Sequence, residues 1–235
     1  MIAIIERGNT RTKLFLLDLS GKIKLVKYWN SFRLDELALS ISSSVRYVRY
    51  CNTSLGLESV PDNWIKVDAH SQWPFEIEYS SNLGPDRLAL VLGAKKLSRI
   101  LPVLVISCGT CLTFSYLNSK SIFKGGTISP GFQMRLKSMN TFTGSLPYVE
   151  AYGDQKTGQE TTDTESSMHK GAFEGMSYEI NQRIKEFQTM EPEINCFLVG
   201  GDGPAFASSL ESGIFATSNL EAIGLFAQWK YEQTK

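Results

Sequence analysis

"IERGNTRTKLFLLD", residues 5–18, sets the polar turn Gly8-Asn9-Thr10 between two short apolar runs, with Glu6 just before the glycine and Lys13 three positions after the threonine. The runs 2–5 (IAII) and 14–17 (LFLL) have strand length, so the stretch reads as a hairpin with an unusually polar tip. Glycine and threonine at such a tip allow close backbone approach and offer N–H and hydroxyl donors, a cradle for phosphate oxygens. A carboxylate at the end of the leading strand can hold a magnesium ion through water, and Lys13 adds a point charge for the terminal phosphate. Taken alone, the turn is weak evidence for phosphate binding, since many hairpins use Asn-Gly or Gly-Asn merely for turn geometry.

Further along, "LPVLVISCGTCLTFSYLNSKSIFKGGTISPG" (residues 101–131) runs through the same order: strand, a turn with Gly109-Thr110, strand, a polar turn at Asn118-Ser119, and a third strand-like piece. Two hairpins with Gly-(Asn)-Thr tips, about a hundred positions apart, point to an internal duplication. The expected fold class is α/β, with two similar lobes, 1–100 and 101–235, each a mixed sheet flanked by helices. In the first half, 23–28 and 46–51 read as strands, Leu34, Leu37 and Ile41 have helical spacing, and a helix opens at "LGPDR" (83–87). In the second half the pattern predicts helices over 129–140 and 166–188, a strand within "NCFLVGGDG" (195–203) and a last helix from Asn219.

The 235-residue chain has 42% hydrophobic residues, enough for a sizeable core, and 24 basic residues balance 24 acidic ones. No net field points to nucleic acid or to an anionic membrane. The N-terminus lacks a signal-peptide pattern and no segment has the apolar length of a membrane span, so a cytoplasmic protein is expected. Cysteines 51, 108, 111 and 196 are too few and irregular for a disulfide framework. "CGTC" (108–111) lies between two strand patterns rather than at a helix start, and reads as two thiols flanking a tight turn. A structural zinc site would need a second such pair.

Among nucleotide signatures, GxxxxGK[ST] is absent and "GDGPAF" (201–206) lacks the third glycine of GxGxxG. Two phosphate turns and the glycine pair of "FLVGGDGPA" instead describe the nucleotide cleft of the actin-like ATPase and sugar kinase superfamily, with ribonuclease-H-like lobes on either side. A kinase for a hydroxyl also needs a proton acceptor. Neither His70 nor His169 sits in a motif, which leaves Asp86 at the helix start as the better candidate.

The motifs together are more specific. "GNTRTK" with Glu6 resembles the DxGNTxxK motif of type III pantothenate kinases, "LGPDR" their LGxDR, and "CGTCLTF" their DxGTAxTxD. "GGTISPG", "TGSLP", "TESSMHKG" and "VGGDG" resemble, in order, GGxIxPG, TAxLP, TxxAIxxG and a terminal TGG. The resemblance implies ATP-dependent phosphorylation of pantothenate, the first step of coenzyme A synthesis, by a homodimer. Residue by residue it makes Asp86 the proton acceptor and Gly84, Pro85, Asp86 and Arg87 the pantothenate-binding stretch. Thr164 and Tyr79 become further substrate contacts, and Glu6, Arg7, Gly8, Asn9, Thr10, Arg11, Thr12 and Lys13 the ATP phosphate loop, with Thr110 a second ATP contact. Glu6 would serve the magnesium ion of ATP, and Ser107 occupies the position tied to a monovalent cation, potassium or ammonium.

Two departures bear on that assignment. Glu6 replaces the family's first aspartate, keeping the charge one methylene further out, and Ser107 and Ser115 replace the two aspartates of the second hairpin, removing charge. They leave open a second reading: a catalytically weakened homologue that binds nucleotide or pantothenate and acts as a regulatory protein. A kinase for another small hydroxyl compound of the superfamily would rest on fold analogy alone.

Overall fold

The quoted stretch does fold as a hairpin. In the computed structural model, which describes residues 1–30, 34–41, 43–54, 60–80, 82–98, 101–151, 160–210 and 214–234, β1 (Ile2–Arg7) and β2 (Thr12–Leu17) pair antiparallel from Ile2↔Leu17 to Arg7↔Thr12. Ile2 to Ile5 and Leu14 to Leu17 are all buried, the unbroken apolar run expected of strands covered on both faces. β3 (Ile23–Trp29) joins β2 as an edge strand whose lysines point to solvent, a pattern that discourages edge-to-edge pairing. On the other side β4 (Tyr47–Asn52) runs parallel to β1 and β5 (Trp64–Val67) parallel to β4, giving the order β3-β2-β1-β4-β5. Leu37 of α1 (Leu34–Ser40) fills a core with Ala3, Ile5, Leu14, Leu16, Val48 and Trp64. The short β6 (Glu76–Ile77) follows, pairing through Ile77↔Phe123.

α2 (Pro85–Ser98) packs on β4, and the last helix of the chain (Leu220–Glu232) packs on β1 and on α2. The two helices meet backbone to backbone: a Cβ on Gly224 would collide with the Ala89 carbonyl oxygen, and one on Gly93 with that of Leu220. Only glycine allows that approach. This compact unit comprises residues 1–99, 121–123 and 219–235. A boundary at 100/101 would assign the final helix to the second lobe; it lies in the first.

The second unit, residues 100–120 and 124–218, is built on β7 (Val103–Cys108) and β8 (Cys111–Leu117), an antiparallel hairpin from Val103↔Leu117 to Cys108↔Leu112. β9 (Ile122–Gly125) follows β8, and β10 (Ile128–Pro130) also pairs with β8. β11 (Asn195–Val199) runs parallel to β7 and β12 (Ile214–Ala216) parallel to β11. The order β9-β8-β7-β11-β12 repeats that of the first sheet, the structural counterpart of the duplicated hairpin. α3 (Phe132–Phe142), α4 (Thr164–Met190) and α5 (Gly203–Ala207) supply a core in which Phe132, Phe173 and Phe206 stack edge to face and face to face. In chain order the final helix is α6. All four cysteines are free, and Cys108 and Cys111 flank a strand-to-strand turn. Among the described residues no helix is long and apolar enough to cross a membrane.

Candidate active site

The first turn is closed by the Gly8 N–H donating to Arg11 O at 2.9 Å, which leaves Asn9, Thr10 and Arg11 exposed at the tip. Below it, strand register sets Glu6 opposite Lys13 on β2 and beside Cys51 on β4. Lys13 Nζ lies 2.9 Å from Glu6 Oε2 and donates a hydrogen bond of 2.6 Å to Oε1 of Glu221, in the first turn of α6. Glu6 Oε2 is buried, and its approach to Lys13 is the longer of the two ion pairs that the ammonium makes. Burial outweighs the attraction of Lys13 and, with the negative charges of Glu221 and Asp86, lifts the Glu6 carboxyl to about 7. For Lys13 burial works the other way, and the two carboxylates overcome it to raise the ammonium above its usual range. Two carboxylates around one ammonium leave a surplus of negative charge, which fits a magnesium ion arriving with ATP.

Asp86 opens α2 directly after Pro85, a residue suited to the first helical turn, where its missing N–H is not needed. Its carboxylate folds back over Gly84, where any Cβ would meet Asp86 Oδ1. Burial raises the Asp86 carboxyl against the opposing pull of the Arg87 N–H, the Arg87 charge and Lys13. Arg87 is 4% exposed, with its guanidinium 5.5 Å from the Tyr79 ring centroid and 5.8 Å from that of Phe123. Its Nη1 donates a long hydrogen bond of 3.5 Å to the Tyr79 hydroxyl. Thr53 joins the two regions: its N–H and hydroxyl donate to Arg7 O at 2.9 and 3.2 Å, and its methyl carbon faces Gly84.

The second hairpin is neutral and more crowded. Its turn closes with the Gly109 N–H donating to Cys111 O at 3.1 Å, and Thr110 is exposed. The end of β11 and the start of α3 press on it: a Cβ on Gly200, whose φ is +99°, would strike the Cys108 carbonyl oxygen, and one on Gly131 would strike that of Gly109. Gly200 of "VGGDG" and Gly131 of "ISPG" are thus needed for backbone contact with the turn. Ser107 lies between Thr113 and Val199 in register, and Ser115 is buried. Thr164 is the exposed first residue of α4, after an N-cap in which Asp163 accepts the Ser166 N–H, and it lines a surface hollow with Leu146, Thr161 and Met168.

The structure therefore gathers Glu6, Lys13, Asp86, Arg87 and Tyr79 in the first unit, while Ser107, Thr110 and Thr164 belong to the second. Two residues of the first cluster escaped sequence reading. Glu221 sits in no recognised motif, although an acid in the first turn of the last predicted helix was visible. Thr53 directly follows a predicted strand.

Residues 22–186 match the family model of type III pantothenate kinase. The type III pantothenate kinase of Bacteroides fragilis strain YCH46 is 35% identical over 237 residues, covering 96% of each chain. Among solved structures, a conserved Baf family protein of Campylobacter jejuni aligns with TM-score 0.63 and 18% identity over 99% of this chain and 100% of its own. A ROK family protein of Streptococcus pneumoniae aligns with TM-score 0.54 and 12% identity over 99% of both. These likenesses carry the actin-like, sugar-kinase fold. With the family model spanning most of the chain, this protein belongs to the type III pantothenate kinase family.

Proposed function

We propose that this chain transfers the γ-phosphoryl group of ATP to the terminal hydroxyl of pantothenate, forming 4'-phosphopantothenate in the first step of coenzyme A synthesis. The observation that carries the reading is Asp86, a partly buried carboxylate with raised proton affinity at the mouth of α2, within electrostatic range of the Glu6 and Lys13 cluster. Asp86 accepts the hydroxyl proton as the oxygen attacks, and Arg87, held by Tyr79 and Phe123, binds the substrate carboxylate. The exposed N–H and hydroxyl groups of the Gly8–Arg11 turn bind phosphate oxygens, and Lys13 offsets their charge. Glu6 would hold the magnesium ion that accompanies ATP, which would supply charge neutralisation at the phosphoryl oxygens. Thr110 and Thr164 take the roles of further ATP and pantothenate contacts.

The same reading includes a cytoplasmic homodimer. Four free thiols suit a reducing compartment. Ile128, Phe142 and Tyr178, each more than half exposed, give the second unit apolar surface that a partner copy could cover, which light scattering on the purified protein tests. Ser107 brings a hydroxyl and no charge to the cation position, so potassium enters as a weak activator at most.

Asp86→Asn tests the chemistry. It should lower turnover by about 10²–10⁴-fold while leaving ATP binding intact. Full activity in that variant would remove Asp86 as the proton acceptor. A wild-type protein that forms no phosphopantothenate from ATP, magnesium and pantothenate would remove the function.

A further inference from the structure

The hairpin register alone would pair Glu6 with Lys13 one to one, a neutral cross-strand ion pair with little charge left for a metal nucleotide. The structure departs from that arrangement. Lys13 gives its shorter contact, and its well-directed hydrogen bond, to Glu221, which lies 208 positions away in the chain. Glu6 keeps the longer approach, 2.9 Å, through its buried Oε2. Counted fully ionised, the cluster carries two negative charges against one positive.

We infer that Glu221 is a positioning residue of the phosphate site: it draws the Lys13 ammonium toward itself, so that the cluster of two carboxylates and one ammonium holds a surplus of negative charge for the metal ion of the bound nucleotide. The inference rests on the kinase reading for what the cluster does, but the arrangement itself depends on three features of this chain. Gly93 and Gly224 bring α2 and α6 into backbone contact. Asn219, at φ 60°, turns the chain into α6. Glu221, 7% exposed, then comes to Lys13 as a buried acid whose desolvation is offset by an ion pair. An anchoring role, in which the contact merely pins α6 to the hairpin, needs only the hydrogen bond. The positioning role needs the charge.

Glu221→Gln separates them, because the amide oxygen can still accept from Lys13 while the charge is gone. Mn²⁺·ATP, followed by the paramagnetic signal of the metal, should bind this variant about tenfold or more weakly, and KM for magnesium-ATP should rise in proportion with kcat changing less. Glu221→Asp, which keeps the charge, should recover part of the loss. Binding of Mn²⁺·ATP to Glu221→Gln within about twofold of wild type would overturn the inference and leave Glu221 as an anchor, whatever happens to thermal stability. Because the binding measurement needs no pantothenate, a wild-type protein that binds Mn²⁺·ATP yet phosphorylates nothing would break the kinase reading while still deciding the role of Glu221.

Discussion

The two hairpins have the same strand order around them and opposite ways of making a turn. In the first, charge does the work: Glu6, Lys13 and Glu221 stand below a tip open to solvent, and an added Cβ at Gly8 would come no nearer than 3.4 Å to Arg11 O. In the second, shape does it: Ser107 and Ser115 carry no charge, and the backbone at Gly131 and Gly200 touches the turn from two sides. The glycine of the first turn has room for a side chain and so is not required by packing, whereas a glycine beside the second is a matter of folding. Duplicated turns have diverged into a site of charge and a site of packing.

The sharpest way to break that contrast is to add one methyl group in each place. Gly200→Ala places a side chain at positive φ and against the Cys108 carbonyl oxygen. Overpacking and left-handed strain together should cost on the order of 3 kcal/mol, read as a lower denaturant midpoint. Gly8→Ala should cost less than about 1 kcal/mol in the same measurement while, on the proposed phosphate-binding role of this turn, raising KM for ATP. Equal destabilisation of both variants would erase the distinction.

A second, smaller effect is a pH dependence confined to the charged turn. The folded carboxyl of Glu6 titrates at about 7 against 4.5 for the free group. A folded state that binds the proton more tightly than the unfolded chain loses stability as pH rises from 4.5 to 7, because the unfolded chain gives up its proton first. Glu6→Gln has no such loss. Its stability relative to wild type should therefore grow between pH 4.5 and 7, by roughly 2–3 kcal/mol, and level off above. Denaturation at pH 4.5, 6 and 8 checks it; a constant difference across that range would mean that Lys13 holds Glu6 ionised throughout. On the proposed metal role of Glu6, activity should move the other way, since an amide brings no charge to the ion.

Much of this was legible in the chain. Residues 2–17 announce the first hairpin because its apolar runs and its polar turn are local signals, and Asp86 at the head of α2 follows from Pro85 and the apolar face beyond it. What stayed hidden depends on contacts between distant segments. Glu221 meets Lys13 only because α6 returns to the first unit, and no periodicity within residues 219–235 says which sheet the helix will cover. The glycines of "VGGDG" suggest room for a flat ligand, whereas Gly200 is bound up with the Cys108 carbonyl. β5, β6, β10 and β12, with two to four residues each, fall below the length at which alternation can be read.

The least disruptive test of the contrast restores charge to the turn that lacks it. Ser107 is partly buried on β7, with Thr113 and Val199 as its strand neighbours. An aspartate there faces a modest desolvation cost, on the order of 1 kcal/mol, and small changes in fold stability are expected. If the neutral second turn reflects a site that does without a bound monovalent cation, Ser107→Asp should make turnover respond to potassium, by about a few-fold, where the wild type responds little. The measurement is initial rate against potassium concentration at constant ionic strength, with sodium as the balancing ion. A wild-type rate that already rises steeply with potassium would show that the serine hydroxyl and nearby carbonyl oxygens hold the cation unaided, and the division between a charged turn and a packed one would then describe the fold alone.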